Sequence, residues 1–169
     1  MDSSCDRQMR SESTVIRKLA KLREEFQGTL EAPKSIYVLR ISDDAMKDDR
    51  ALKIRKFPSS DYPKIIDDPR GCVYVGVTSL DPEERFEVHK SKVRSAAKIA
   101  KLGYLSHESY EKCGKDLTEK FGFVDVGWRN NKSVKLESWL GWNFYQMGYW
   151  VWGPHYHEEE DFLGKFPYL

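Results

Sequence analysis

The chain has 169 residues, of which 40% are hydrophobic and 13% aromatic, enough for one compact domain with a sizeable core and too apolar for an intrinsically disordered chain. Its 28 Lys and Arg against 27 Asp and Glu give a net charge of +1, so a uniformly polybasic surface is excluded and any attraction to a polyanion must come from local clustering. Cys5, Cys72 and Cys113 are odd in number and far apart, which argues against a disulfide framework or a thiolate zinc site and fits a reducing compartment.

In chain order, residues 1–12 are polar and expected to be disordered, with one globular domain over 13–169. "MDSSCDRQMR" lacks the apolar core of a signal, and no stretch reaches the roughly 18 apolar residues of a spanning helix, so the expected setting is cytoplasmic, without a membrane. Val15, Ile16, Leu19, Leu22 and Phe26 recur at helical spacing in "TVIRKLAKLREEF", predicting an amphipathic helix closed near Gly28. "SIYVLRI" (35–41) and "CVYVGVT" (72–78) are β-branched and aromatic and read as strands. Between them residues 42–71 mix both charges with turn-forming Asp, Pro, Ser and Gly, predicting an insertion on the surface with an ordered piece around Leu52–Phe57.

Asp81, Pro82 and Glu84 fit the N-cap, first and third positions of a helix over 82 to about 93. "RSAAKIAKLGY" predicts more helix ending at Gly103, and within 104–131 only a helical piece near 107–120 is readable. Val134, Leu136, Trp139, Leu140 and Phe144 lie along a mostly buried helix, followed by a strand at "YWVWG". Trp139, Trp142, Tyr149, Trp150 and Trp152 could stack bases, but aromatic residues at this spacing are read as core.

Chemistry concentrates after the second strand. Arg85 and His89 are four apart and share a helical face, with Lys92 a turn further on. The helix follows directly from the strand holding Tyr74 and Gly76, so a phenol, a guanidinium and an imidazole can converge at one end of a small sheet. Arginine offers a planar fork to phosphate oxygens, histidine relays protons near neutral pH, and a tyrosyl oxygen near positive charge can activate water. On their own the same residues also fit a rim tyrosine and a solvated helix face. Lys90, Lys92, Arg94, Lys98 and Lys101 extend Arg85 into a basic band, opposed only by Glu87, that could neutralise a nucleic-acid backbone or simply coat a solvated helix. His155 and His157 near Glu158–Glu160 share a face only if extended and lack a third ligand at zinc spacing, which argues against a zinc site.

The order of "SIYVLRI", "VYVGVTS" and "RFEVHK" resembles the GIY-YIG nuclease family over roughly residues 35–153. The resemblance implies an α+β fold, a small three-stranded antiparallel sheet flanked by helices, here with a long insertion at about 42–71 between the first two strands. It implies a divalent-metal-dependent endonuclease hydrolysing DNA phosphodiester bonds, with Tyr37, Tyr74, Arg85, His89 and Glu137 of "VKLESWL" lining the site and Glu137 holding Mg²⁺ or Mn²⁺. One carboxylate suffices for Mg²⁺ because that ion keeps much of its hydration. Ser35 stands where the family has the leading Gly of its first motif, and Asn143 is too close to Glu137 to take the role of the family's later Asn. The altered motif and the insertion leave an alternative, a catalytically inactive nucleic-acid-binding or adaptor domain on the same scaffold. DNA is the expected partner; RNA, a protein partner for the insertion, a homodimer and the choice of base between the tyrosines stay open.

Overall fold

A computed structural model describes residues 10–26, 34–57, 70–105, 115–126 and 130–154. Residues 1–9 of the expected disordered segment, the zinc candidates at 155–160 and the end of the insertion at 58–69 lie outside the described residues. Helix α1 (Glu12–Phe26) forms on the predicted periodicity and buries Val15, Leu19 and Leu22. Arg10, just ahead of it, donates its backbone N–H to the Gln146 carbonyl at 2.9 Å and its guanidinium to Asn143 Oδ1 at 3.0 Å.

Strands β1 (Lys34–Ile41), β2 (Cys72–Thr78), β3 (Phe123–Val126) and β4 (Trp150–Trp152) make one sheet in the order β3-β1-β2-β4. β1 is antiparallel to both β2 and β3, but β4 runs parallel to β2, so the sheet is mixed and not the purely antiparallel one expected. Helix α6 (Asn130–Gln146) packs against β1, β2 and β4 and returns the chain to the end where β2 begins. There Trp150 donates its N–H to the Gly71 carbonyl at 2.9 Å, which starts the parallel ladder. On α6, Leu136, Trp139, Leu140 and Phe144 are buried, whereas Val134, expected among them, is exposed. Trp139, Trp142, Tyr149, Trp150 and Trp152 are core.

The short β3 is absent from the sequence reading, and it pairs β1 only at Lys34 and Ile36. Beyond it, helix α5 (Lys115–Phe121) takes over the edge: the Thr118 hydroxyl accepts from the Val38 N–H at 3.0 Å and donates to the Val38 carbonyl at 2.8 Å. Thr118→Val removes both partners at a buried site, and an unpaired buried group costs about 1–3 kcal/mol. The expected result is a lower urea midpoint at unchanged slope; an unchanged midpoint would show that the edge is satisfied otherwise.

The insertion is more ordered than the surface excursion expected. Asp43–Lys47 form a 3₁₀ turn and Asp49–Ile54 form α2, capped by Asp48, whose carboxylate accepts from the Arg50 N–H at 2.8 Å. Asp48 also accepts from the Tyr104 hydroxyl at 2.6 Å, and the Ala51 carbonyl accepts from Trp152 Nε1 at 2.9 Å. Ala45, Ala51 and Phe57 are buried, so this half of the insertion belongs to the core.

Helix α3 (Pro82–Lys90) starts at the predicted cap, with Asp81 accepting from the Glu83 N–H at 2.9 Å. It stops before residue 93 because Lys92 turns into the left-handed region at φ 55°, and the helix expected over 94–103 contracts to α4 (Lys98–Lys101). Among the described residues no helix is long and apolar enough to cross a membrane.

Candidate phosphodiesterase site

The β1–β2 register sets Tyr37 opposite Gly76, with Tyr74 two residues away on the same face. A Cβ at position 76 would stand 2.5 Å from Tyr37 Cζ and Oη and 2.8 Å from a Tyr74 ring carbon. The glycine of the "YVG" strand is therefore the space into which the Tyr37 ring leans, bringing the two ring centroids to 6.0 Å.

α3 leaves the end of β2 and carries His89 back to this pair. His89 is fully buried, its Nε2 lies 2.6 Å from Tyr37 Oη, and its Nδ1 accepts from the Ala97 N–H at 3.0 Å. A neutral imidazole that accepts at Nδ1 carries its proton on Nε2, so His89 donates to Tyr37. The same Ala97 contact draws the chain after Lys92 back onto the imidazole, which accounts for the early end of α3. Burial first, and the Arg85 charge second, push the His89 pKa down to about 4. His89 is thus held as a neutral donor to Tyr37. Its ring resonances should show no titration between pH 5 and 8 by NMR; an inflection near 6.5 would contradict this arrangement.

Arg85, one turn earlier on α3, is half-buried and donates from Nη2 to the Ser95 carbonyl at 3.0 Å. Its Nε is buried without a hydrogen-bond partner among the described residues. Its charge favours the ionised forms of both tyrosines and disfavours that of His89, as expected for a guanidinium standing among all three. Desolvation nevertheless dominates: the Tyr37 pKa is raised well above its ordinary value, and that of Tyr74 is raised by burial and then by the Glu137 charge. The pair is inequivalent, because Tyr37 is 1% exposed beneath His89 while Tyr74 is half-buried and faces a cleft.

Glu137 reaches the site from α6. β4 pairs with β2 only as far as Tyr74, and the chain then turns away at Gly153, φ 109°. Further along β2, the Val77 N–H donates to the Glu137 carboxylate. Burial pushes the Glu137 pKa up to about 7 despite that hydrogen bond and the nearby Lys56 charge. The Val77 N–H and the Lys56 charge offset only part of that desolvation. A hard cation that keeps its own waters fits this donor set, and among the described residues no group of three or more His, Cys, Asp or Glu offers a caged alternative.

All five residues singled out from the sequence, Tyr37, Tyr74, Arg85, His89 and Glu137, thus meet in one electrostatically connected cluster. Lys90, Lys92, Arg94, Lys98 and Lys101 are all exposed, but Lys90 pairs with Glu87 at 3.7 Å and Lys101 donates to the Arg94 carbonyl at 2.8 Å. Of the five, Lys98 lines the cleft beside Tyr74. Lys56, absent from the sequence reading, is the additional cation here, brought in by the folded half of the insertion. Its only signal was its place in the "LKIRKF" stretch that follows the α2 cap. No family model matches the chain, and no curated protein or solved structure matches it.

Proposed function

We propose that the protein is a GIY-YIG-like endonuclease that hydrolyses DNA phosphodiester bonds with Mg²⁺ or Mn²⁺ at Glu137, in a cytoplasmic setting. The observation that carries the reading is the convergence of two tyrosines, a neutral histidine, an arginine and a single desolvated carboxylate around the end of β2. A cation bound at Glu137 supplies charge stabilisation to the phosphate and offsets the carboxylate charge that raises the Tyr74 pKa.

The division of labour follows from exposure. Arg85, held through Nη2 by the Ser95 carbonyl, brings its positive charge toward the phosphate oxygens, where charge develops during displacement. Tyr74, facing the cleft, would take the proton of the attacking water as its phenolate, having first released its own proton to solvent through the cleft. Burial and the Glu137 charge oppose that ionisation, whereas the Arg85 charge, the Tyr37 hydrogen bond and a cation held at Glu137 would favour it. Tyr37 is enclosed, so it positions Tyr74 and Arg85 and is itself held by His89 Nε2–H. Ser35, in place of a glycine, is buried within β1 opposite Thr78, two residues from Tyr37 on the same face.

The test is nicking of supercoiled plasmid with Mg²⁺, Mn²⁺ or EDTA, comparing the parent with Glu137→Ala and Arg85→Ala. Metal-dependent nicking lost in both variants supports the nuclease. Salt-sensitive DNA binding without nicking under any metal condition replaces it with the inactive binding domain.

A further inference from the structure

The cleft beside Tyr74 has a volume of about 290 Å³ and is not used by the five clustered residues except Tyr74. Tyr74, Trp152 and Gly153 form one side of it. The opposite sides come from Ile54 and Lys56 of the insertion and from the Ala96–Ile99 stretch that enters α4. These walls are anchored: the Ala51 carbonyl holds Trp152 Nε1 at 2.9 Å, the Arg55 guanidinium lies 4.3 Å from the Trp150 ring centroid, and Ala97 is tied to His89. A side chain at Gly153 would collide with the Val75 carbonyl and press on the Tyr74 ring, so that side of the cleft requires glycine.

We propose that this cleft receives a single unpaired nucleotide adjacent to the scissile phosphate, and that the enzyme therefore cuts where a strand is frayed or single rather than within continuous duplex. The location of the scissile phosphate rests on the nuclease reading; the affinity of the cleft for a nucleotide does not.

Three features select this occupant. The size lies just below the usual range of ligand pockets, about 300 to 1,000 Å³, so it suits at most one nucleotide and is too small for a base pair. The lining combines apolar and aromatic surface for a base and sugar with two ammonium groups, Lys56 and Lys98, for the attached phosphate. The Lys56 charge is also felt at Glu137, and Tyr74 belongs to both, so the cleft and the phosphate-reacting cluster adjoin within one field. Extruding a base from duplex costs a few kcal/mol, which a frayed or single-stranded site has already spent. The insertion that separates the two motif strands thereby acquires a role, since it builds one wall.

The test follows backbone amides of the full chain by NMR while thymidine 5′-monophosphate, thymidine or inorganic phosphate is added. The nucleotide should shift the amides of Ala97, Ile99 and Gly153, thymidine should do so at least tenfold more weakly, and phosphate should leave Ile99 and Gly153 in place. Ile54→Trp, which fills the cleft, and Lys98→Glu, at an exposed position, should each weaken the nucleotide response at least tenfold while the remaining spectrum stays native. Equal shifts with phosphate alone, or a nucleotide response untouched by both variants, would overturn the cleft proposal. Cleavage assays separate the two readings. Preference of at least tenfold for a duplex with a single-stranded tail over continuous duplex supports both. Nucleotide binding in the cleft without cleavage of any DNA removes the nuclease and keeps the cleft, while equal cleavage of both substrates without nucleotide binding does the reverse.

Discussion

Replacing Glu137 with Gln is expected to reduce metal-dependent cleavage by at least about a hundredfold and, in EDTA at pH 8, to stabilise the protein by about 3 kcal/mol. The two effects share one cause. The Glu137 pKa is about 7 in the fold against an ordinary 4.5, so between those values the folded protein keeps a proton that the unfolded chain has released. Stability therefore falls as pH rises through that window, and above pH 7 the full cost of a desolvated carboxylate is present. Glutamine keeps an oxygen to accept the Val77 N–H and removes the charge.

His89 acts in the opposite sense. Its pKa falls from 6.5 to about 4, so its contribution is complete above pH 6.5 and is lost as pH falls toward 4. In the metal-free parent the two slopes oppose one another between pH 4.5 and 6.5; Glu137→Gln leaves the rising limb of His89 alone. Urea midpoints at pH 5, 6.5 and 8 measure this directly. A Gln variant no more stable than the parent at pH 8 would mean that Glu137 is well compensated and that no cation is called for.

The second large effect is expected at Gly76. Gly76→Ala places a methyl group 2.5 Å from the Tyr37 ring and 2.8 Å from Tyr74, at the middle of the central strand pair. Tyr37 is enclosed and hydrogen-bonded to His89, so it can yield only by giving up that bond. Overpacking of this kind costs about 1–3 kcal/mol. The larger consequence is geometric: Tyr37 moves off His89 Nε2 and Tyr74 off the cleft, so cleavage falls by about a hundredfold, a loss typical of ångström-scale misplacement. A folded Gly76→Ala protein with parental activity would show that the tyrosine pair does not depend on this glycine.

The site was readable in the sequence where local periodicity decides geometry. Period-two alternation puts Tyr74 and Gly76 on one face of β2, and a four-residue step puts Arg85 and His89 on one face of α3, so which side chains each element offers together needed no tertiary information. Glu137 was legible only through its motif position, since nothing local in α6 indicates that Val77 is its partner. What stayed hidden depends on chain segments distant in sequence. Ala97 fixes the His89 tautomer from beyond an irregular turn, and Lys56 comes from an insertion whose docking is secured by Tyr104 and Trp152. β3 is four residues long and its work is shared with a threonine from a helix, a substitution that no strand pattern announces. The parallel setting of β4 is decided by where α6 delivers the chain, not by the three residues that form the strand.

The central claim is that Glu137, Arg85 and the tyrosine pair form one hydrolytic site. The most direct measurement is single-turnover cleavage of a labelled DNA bearing a single-stranded tail, with Mg²⁺, from pH 6 to 8.5, for the parent and Glu137→Gln. The parent should cut only with the metal, and Glu137→Gln should be inert across the range. Cleavage by Glu137→Gln at the parental rate and pH dependence would contradict it.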